Sequence, residues 1–211
     1  MPIALDLARW PRRAAFDHFS RLAHPYFSVC ARVDVTALAA RLRRHPGATW
    51  FLAYHHAALV AANALPEFRY RLQDGQVLEH ERIDGSTTLL RADESFAIVT
   101  LPYEPDFGRF VERALPALAA ARVPAPGLGE LSEQPALLHM TTIPWLDFTS
   151  FAHARDGGGR DSVPKLAFGK MVAGADGRRT MALAVEVHHA LMDGLHVGRF
   201  YAELDKAISA G

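Results

Sequence analysis

The sequence lacks several features of secreted, membrane and nucleic-acid-binding proteins. It has one cysteine, Cys30, which excludes a disulfide within the chain and fits a reducing compartment. Lys plus Arg and Asp plus Glu number 23 each, so no net charge attracts nucleic acid or an anionic membrane. Acidic and basic residues interrupt residues 1–9, so we expect neither a signal peptide nor a membrane span. These absences favour a cytoplasmic protein.

What the chain does contain is enough apolar sequence for one domain over residues 1–211, since half of its residues are hydrophobic. No internal repeat or linker is present. Helical spacing predicts helices over 36–44, 50–65 and 105–123. Strand patterns cover 31–35, 68–72, 77–83, 87–90, 96–101, 137–142, 166–172 and 180–187. The order of these predicted helices and strands along the chain favours an α/β fold. We expect a two-layer α/β sandwich with helices on one side of a mixed β-sheet.

The most informative stretch is 181–200. Apolar residues alternate with smaller or polar ones from 181 to 187, which predicts a strand with one buried face that ends with His189 directed into the interior. Asp193-Gly194 breaks the pattern, and helical spacing follows it. A histidine held in apolar surroundings at such a corner can act as a general base.

A second histidine pair, His55-His56, serves as a control. It lies within a predicted helix, where adjacent side chains diverge by about 100° and cannot act together on one target. No Asp-Gly corner follows it. We therefore interpret these two histidines as packing and surface residues.

Residues 188–194 read HHALMDG, and this H-H-x-x-x-D-G pattern resembles the active-site signature of CoA-dependent acyltransferases. The similarity is strongest to the trimeric chloramphenicol acetyltransferase family and extends over nearly the whole chain. Two further segments carry it: Pro144-Trp145 followed by FTSF at 148–151, and PEFR at 66–69 followed by Asp74-Gly75.

The resemblance implies a chemistry and an assembly. His189 is expected to remove the proton of an acceptor hydroxyl, which attacks the thioester of acetyl-CoA directly, without an acyl-enzyme intermediate. Acetyl-CoA is then a co-substrate, and no cofactor is bound permanently. The family also implies a homotrimer whose active sites lie between subunits, with a small-molecule hydroxyl compound as partner.

The resemblance assigns three further residues to the reaction. Asp193 is expected to pair with Arg12 and so to orient the turn that carries the base. Thr141 stands where the family has a serine whose hydroxyl stabilises the developing oxyanion. Ala167 replaces a threonine that helps to hold a water near the same charge.

Binding residues are also implied. Trp145 and Lys170 are expected to contact acetyl-CoA, whereas Phe51 and Met171 stand where the family often has tyrosines. The acceptor pocket is expected to use four aromatic side chains: Phe19, Phe27, Phe96 and Phe151. The loop at 124–135 is shorter than its family counterpart, so the acceptor need not be chloramphenicol.

Several alternatives remain open at this stage. The acceptor can be another hydroxylated compound. Alternatively, the protein can be a small-molecule-binding protein with a weakened catalytic site, a hypothesis that rests on Thr141 and Ala167. Dihydrolipoyl acyltransferase cores share the fold and a related motif. A metal site from His188, His189 and His196 is disfavoured because the spacing matches no familiar zinc pattern, and we predict none.

Overall fold

The computed structural model describes residues 1–125, 127–128, 136–155 and 158–210. Most of the predicted loop at 124–135 and part of the glycine-rich loop at 156–160 lie outside the described residues. Among the described residues, no helix is long and apolar enough to cross a membrane.

A six-stranded mixed sheet forms the centre of the fold. Its strands in chain order are β2 Tyr26–Asp34, β5 Asp84–Leu90, β6 Phe96–Leu101, β7 Leu137–Thr142, β8 Lys165–Ala173 and β9 Arg179–His188. They lie in the order β2-β9-β8-β7-β5-β6. Strand β7 is parallel to both of its neighbours, and the other pairs are antiparallel. A smaller sheet holds β1 Ile3–Ala4, β3 Tyr70–Gln73 and β4 Gln76–Glu79.

Four helices form the second layer: α2 Leu38–Arg44, α3 Trp50–Asn63, α4 Phe107–Ala121 and α5 Gly194–Ser209. Their apolar side chains join those of the large sheet in one buried core. The predicted two-layer α/β sandwich with a mixed sheet is therefore confirmed. Helix α1 Arg13–Phe19 packs elsewhere, since Phe16 belongs to a second apolar cluster with Trp10 and Tyr70.

The predicted Asp-Gly hairpin is present between β3 and β4. Asp74 and Gly75 both have positive φ, 49° and 75°. A two-residue type I′ turn requires positive φ at both positions, and its twist matches that of the two strands. The predicted strand at 68–72 begins too early, however, because Pro66–Arg69 forms a 3-10 helix. Proline at the start of this segment fixes φ in the helical range.

The prediction of one buried face for the strand at 180–187 is wrong. Every residue from 181 to 188 is buried, so β9 is covered on both faces. Residues of helix α5 pack against one face of β9 in the main core. The irregular segment at 143–151, after β7, approaches the other face. A Cβ at Gly169 on β8 would lie only 3.1 Å from the carbonyl oxygen of Leu146 in that segment.

The histidine pair in α3 also differs from its prediction. His55 and His56 are both buried, so neither is a surface residue. They do diverge: the Nε2 of His55 lies 3.0 Å from Oγ1 of Thr87 on β5, whereas the Nε2 of His56 donates to the carbonyl of Glu104. Each histidine joins α3 to a different neighbour.

Candidate active site

The turn after β9 carries the two histidines of the motif in different environments. Strand β9 ends at His188, one residue earlier than predicted. His188 is the interior residue, 2% exposed, with Nε2 at 2.9 Å from the carbonyl oxygen of Gly159. Its Nδ1 accepts a hydrogen bond from the N–H of Ala190. Burial lowers the pKa of His188, so this residue is a neutral structural side chain.

His189 is the more open of the pair. Its backbone N–H donates to the carbonyl of Pro25 at 2.7 Å, which ties the turn to the start of β2. Its ring is stacked on Phe19 with ring centroids 3.7 Å apart and lies 4.6 Å from the ring of Phe27. Nδ1 is buried with no hydrogen-bond partner among the described residues, whereas Nε2 remains accessible. The open nitrogen is placed to exchange a proton with a ligand.

Arg12 holds this turn from the N-terminal region. One guanidinium nitrogen donates to Oδ2 of Asp193, and the other donates to the backbone carbonyl of His189 at 3.3 Å. The two ends of the guanidinium therefore bind different groups, the Asp193 carboxylate and the backbone of the turn. One side chain thus fixes both ends of the segment from His189 to Asp193.

Asp193 also begins α5. Its Oδ1 accepts from the N–H of Leu195 at 3.0 Å, and Nδ1 of His196 accepts from the N–H of Asp193. Burial raises the pKa of Asp193, but its hydrogen bond with Arg12 and the positive charge of that guanidinium outweigh the effect of burial and lower the pKa. Asp193 is therefore an anionic N-cap, and its side chain is turned to Arg12 and α5.

Thr141 lies in a separate cavity of about 470 Å³ on the other side of β8. Its Oγ1 is 2.9 Å from Oγ1 of Thr88 on β5. Phe151 and Ile98 supply apolar lining, and His139 and Lys165 supply polar lining. Ala167 is fully buried beside Thr141 in the register of β7 and β8.

Within one chain His189 and Thr141 are far apart. Thr141 is in register with Ala167, which is in register with Ala184 on β9. His189 follows Ala184 by five residues, which is about 17 Å along the strand. One copy of the chain therefore does not bring the two groups to a common reacting atom.

The other predicted binding residues are distributed around these groups. Trp145 is 64% exposed and Lys170 is also exposed, so neither is a core residue. Phe27 lines a second cavity of about 380 Å³. Phe96 is 43% exposed at the start of β6 and is not among the residues that line either cavity.

The sequence reasoning missed a cluster of charged residues beside the cavity that contains Thr141. Arg155 pairs with Glu186 on β9 and with Asp161, and Lys165 also pairs with Asp161. Burial raises the pKa of Glu186, but hydrogen bonds from His153 and Arg155 outweigh it and hold that pKa at about 2.

A strand signal was available for part of this cluster. Lys165 and Ala167 are two residues apart and so share one face of β8, as His139 and Thr141 share one face of β7.

Among the described residues, no group of three or more His, Cys, Asp or Glu side chains could hold a metal ion.

Known proteins match this chain over nearly its full length. The family model described as chloramphenicol acetyltransferase matches residues 3–205. A chloramphenicol acetyltransferase of Streptomyces acrimycini is 32% identical over 210 residues, which cover 99% of this chain and 94% of that protein. One from Proteus mirabilis is 26% identical and covers 99% and 95%.

Solved structures are similar over the same length. A chloramphenicol acetyltransferase structure covers 99% of this chain and 100% of its own, with a TM-score of 0.90 and 29% identity. The cubic core of the pyruvate dehydrogenase multienzyme complex, at 19% identity and a TM-score of 0.68, shares the fold; the match covers 93% of this chain and 86% of that one. The match of the family model over almost the full length, together with the Streptomyces relative, shows that this chain belongs to the chloramphenicol acetyltransferase family.

Proposed function

We propose that this protein transfers the acetyl group of acetyl-CoA to a hydroxyl group of chloramphenicol or of a related small molecule, with His189 as general base. The observation that carries the proposal is the state of His189. Its ring is held between two aromatic side chains, its Nδ1 is buried, and its Nε2 is open. Membership of the chloramphenicol acetyltransferase family supplies the reaction.

The proton transfer takes place at one atom. Nε2 of His189 removes the hydroxyl proton while the acceptor oxygen attacks the carbonyl carbon of the thioester. The tetrahedral intermediate then collapses, the carbon–sulfur bond breaks, and the imidazolium returns its proton to the sulfur of CoA. General-base assistance of this kind contributes about 10²–10⁴ in rate.

Orientation of the base is the role of Arg12 and Asp193. Their ion pair and the bond from Arg12 to the His189 carbonyl fix the turn without contact with the ring nitrogens. Asp193 is committed to Arg12 and to the start of α5. It is therefore a positioning residue and takes no proton from His189.

Thr141 is the proposed donor to the oxyanion. Because it is about 17 Å along the strand direction from His189 of its own chain, it serves His189 of another copy. A homotrimer with the site between copies meets this requirement. Phe19 and Phe27 then accompany His189, and Thr141 and Phe151 form the opposite wall. Phe96 is proposed as a rim residue of the acceptor site.

Trp145 and Lys170 are the proposed contacts for acetyl-CoA. Both are exposed; Trp145 follows β7, which carries Thr141, and Lys170 lies on β8, which carries Ala167. The ammonium of Lys170 supplies a point charge for a phosphate, and the Trp145 indole supplies an apolar face for the pantetheine arm. We also propose a cytoplasmic location, which the need for acetyl-CoA and the single cysteine support.

The test is the release of free thiol when the protein is incubated with acetyl-CoA and chloramphenicol. We expect turnover, and we expect His189→Gln to lower kcat by about 10²–10⁴. His45→Gln is the matched control, because His45 packs on Phe107 in the helical layer. Binding of CoA with no His189-dependent thiol release from any hydroxyl compound would refute catalysis and support a binding protein.

A further inference from the structure

The cavity that contains Thr141 has a polar end. His139 precedes Thr141 by two residues on the same face of β7, about 7 Å away along the strand. In the register of the sheet, Ser86 of β5 and Lys165 of β8 lie on either side of His139. Ser86, His139 and Lys165 all line the cavity. The sequence had predicted only aromatic side chains for the acceptor pocket.

His139 has unused hydrogen-bonding capacity. Among the residues that the structure describes, none forms a hydrogen bond with either of its ring nitrogens. Burial, reinforced by the positive charge of Lys165, lowers the pKa of His139 to about 4. At neutral pH the ring is therefore uncharged, with one nitrogen as donor and the other as acceptor.

The charged groups beside His139 are already paired. Nζ of Lys165 is 2.8 Å from Oδ2 of Asp161 and donates to the carbonyl of Ala154 at 3.2 Å. Arg155 pairs with Glu186 behind them. These four side chains carry two positive and two negative charges, so an ionised ligand meets no uncompensated partner among them.

Arg71 adds a third positive charge nearby but does not line the cavity. Its guanidinium is fully buried and donates to the backbone carbonyls of Phe68 and Tyr70. A ligand in the cavity therefore meets the neutral ring of His139 and does not contact the guanidinium of Arg71.

We propose that the acceptor carries an uncharged hydrogen-bonding group on the part remote from the acetylated hydroxyl, and that His139 binds this group. The inference rests on the proposed function, because it takes the Thr141 cavity as the acceptor site. A cavity of about 470 Å³ suits a compound of drug-like size. His139 is thus a specificity-determining residue within the acceptor site.

The test uses three chloramphenicol analogues in which the aromatic nitro group is replaced by methyl, carboxamide or carboxylate. With the wild-type protein we expect kcat/KM to be highest for the carboxamide, about tenfold above the methyl compound, the effect of one hydrogen bond in a buried site. His139→Phe removes that ratio, and His139→Gln retains part of it. His45→Phe, in the helical layer, leaves the ratio unchanged.

Each outcome decides the inference. An unchanged carboxamide-to-methyl ratio in His139→Phe overturns it, as does a preference of the wild-type protein for the carboxylate. Thermal denaturation of each variant confirms that a change in the ratio does not come from unfolding.

A separate measurement distinguishes the inference from the proposed function. Calorimetry measures the affinity of the same compounds for the His189→Gln variant, and so gives the acceptor selectivity without turnover. Absence of acetylation by the wild-type protein refutes the proposed function, whereas the binding ratio still decides the role of His139. No binding of any of the three compounds overturns the inference, and the thiol-release assay still decides the proposed function.

Discussion

At the residue scale, His188 and His189 are chain neighbours with opposite surroundings. His188 has both ring nitrogens hydrogen-bonded inside the protein, whereas His189 has one buried nitrogen and one open nitrogen. The alternation along the strand indicated a functional histidine at this corner but predicted too deep a position for it. Periodicity describes which face a side chain occupies, and it does not describe how a turn redirects the next residue.

Arg12 gives a prediction about orientation. In Arg12→Lys the charge remains, but a single ammonium cannot reach both Asp193 and the carbonyl of His189. We expect kcat to fall by about 10²-fold, as for a small misplacement of the base, with little change in KM for either substrate. Steady-state kinetics measure both.

Arg13→Lys is the matched control for that variant, because Arg13 forms only an exposed pair with Asp17. If Arg12→Lys raised KM and left kcat unchanged, the orienting role would be contradicted.

Thr141 gives a prediction about the oxyanion. Thr141→Val keeps the shape of the side chain and removes the hydroxyl, so we expect kcat to fall by about 10²–10³. Thr141→Ser keeps the hydroxyl and should retain activity. Single-turnover kinetics of acetyl transfer separate this effect from product release, and equal rates for the Val and Ser variants would rule out a hydroxyl role.

At the element scale, sequence patterns located most helices and strands of the fold. They failed for β9, where alternation predicted one buried face. The irregular segment after β7 covers the second face, and contacts between segments distant in sequence leave no local pattern. The same limitation explains why His139 was missed, since its importance depends on Ser86 and Lys165 beside it.

Helix α4 continues through Pro116, which gives a prediction about stability. Proline in a helix interior costs about 3 kcal/mol relative to alanine, part of which is offset by its restriction of the unfolded chain. Pro116 is exposed, so Pro116→Ala should lose no packing. We expect a gain of about 2 kcal/mol and a rise in Tm of about 4–8 °C.

Calorimetry checks this rise, and Pro124→Ala, which lies after the helix, should not produce it. A lower Tm for Pro116→Ala would show that the proline ring stabilises the folded helix.

At the scale of the whole molecule, buried titratable groups predict the effect of acid. Burial lowers the pKa of His55 to about 3 and that of His56 to about 4. The unfolded chain therefore takes up protons first as the pH falls below about 6.5, and the free energy of unfolding decreases from there. The pKa of Glu186, about 2 against an ordinary 4.5, adds a second loss between about pH 4.5 and 2.

Urea unfolding over this pH range measures both losses. Glu186→Gln should weaken the pH dependence below 4.5 and leave that between 4.5 and 6.5 unchanged. An equal slope in the variant and the wild-type protein below pH 4.5 would exclude Glu186 as a source of stability.

The proposed division of the site between copies gives the last prediction. His189→Gln and Thr141→Val, each nearly inactive alone, should regain activity when they are unfolded together and refolded as mixed trimers. With random assembly, about one quarter of the sites combine an intact His189 with an intact Thr141. Thiol release checks this, and a mixture no more active than its components would place both groups in one copy.

The burial of residues 181–188 on β9 also limits how the gene can vary. Ala182 and Ala184 are buried, so larger side chains there would overpack the core, whereas Val172 and Ala173 on the adjacent strand are exposed. Codons 181–188 should therefore tolerate few changes in a randomised library, and codons 172 and 173 should tolerate many. Drift that alters acceptor preference is then confined to side chains outside this segment that line the site, such as Phe27, His139 and Phe151.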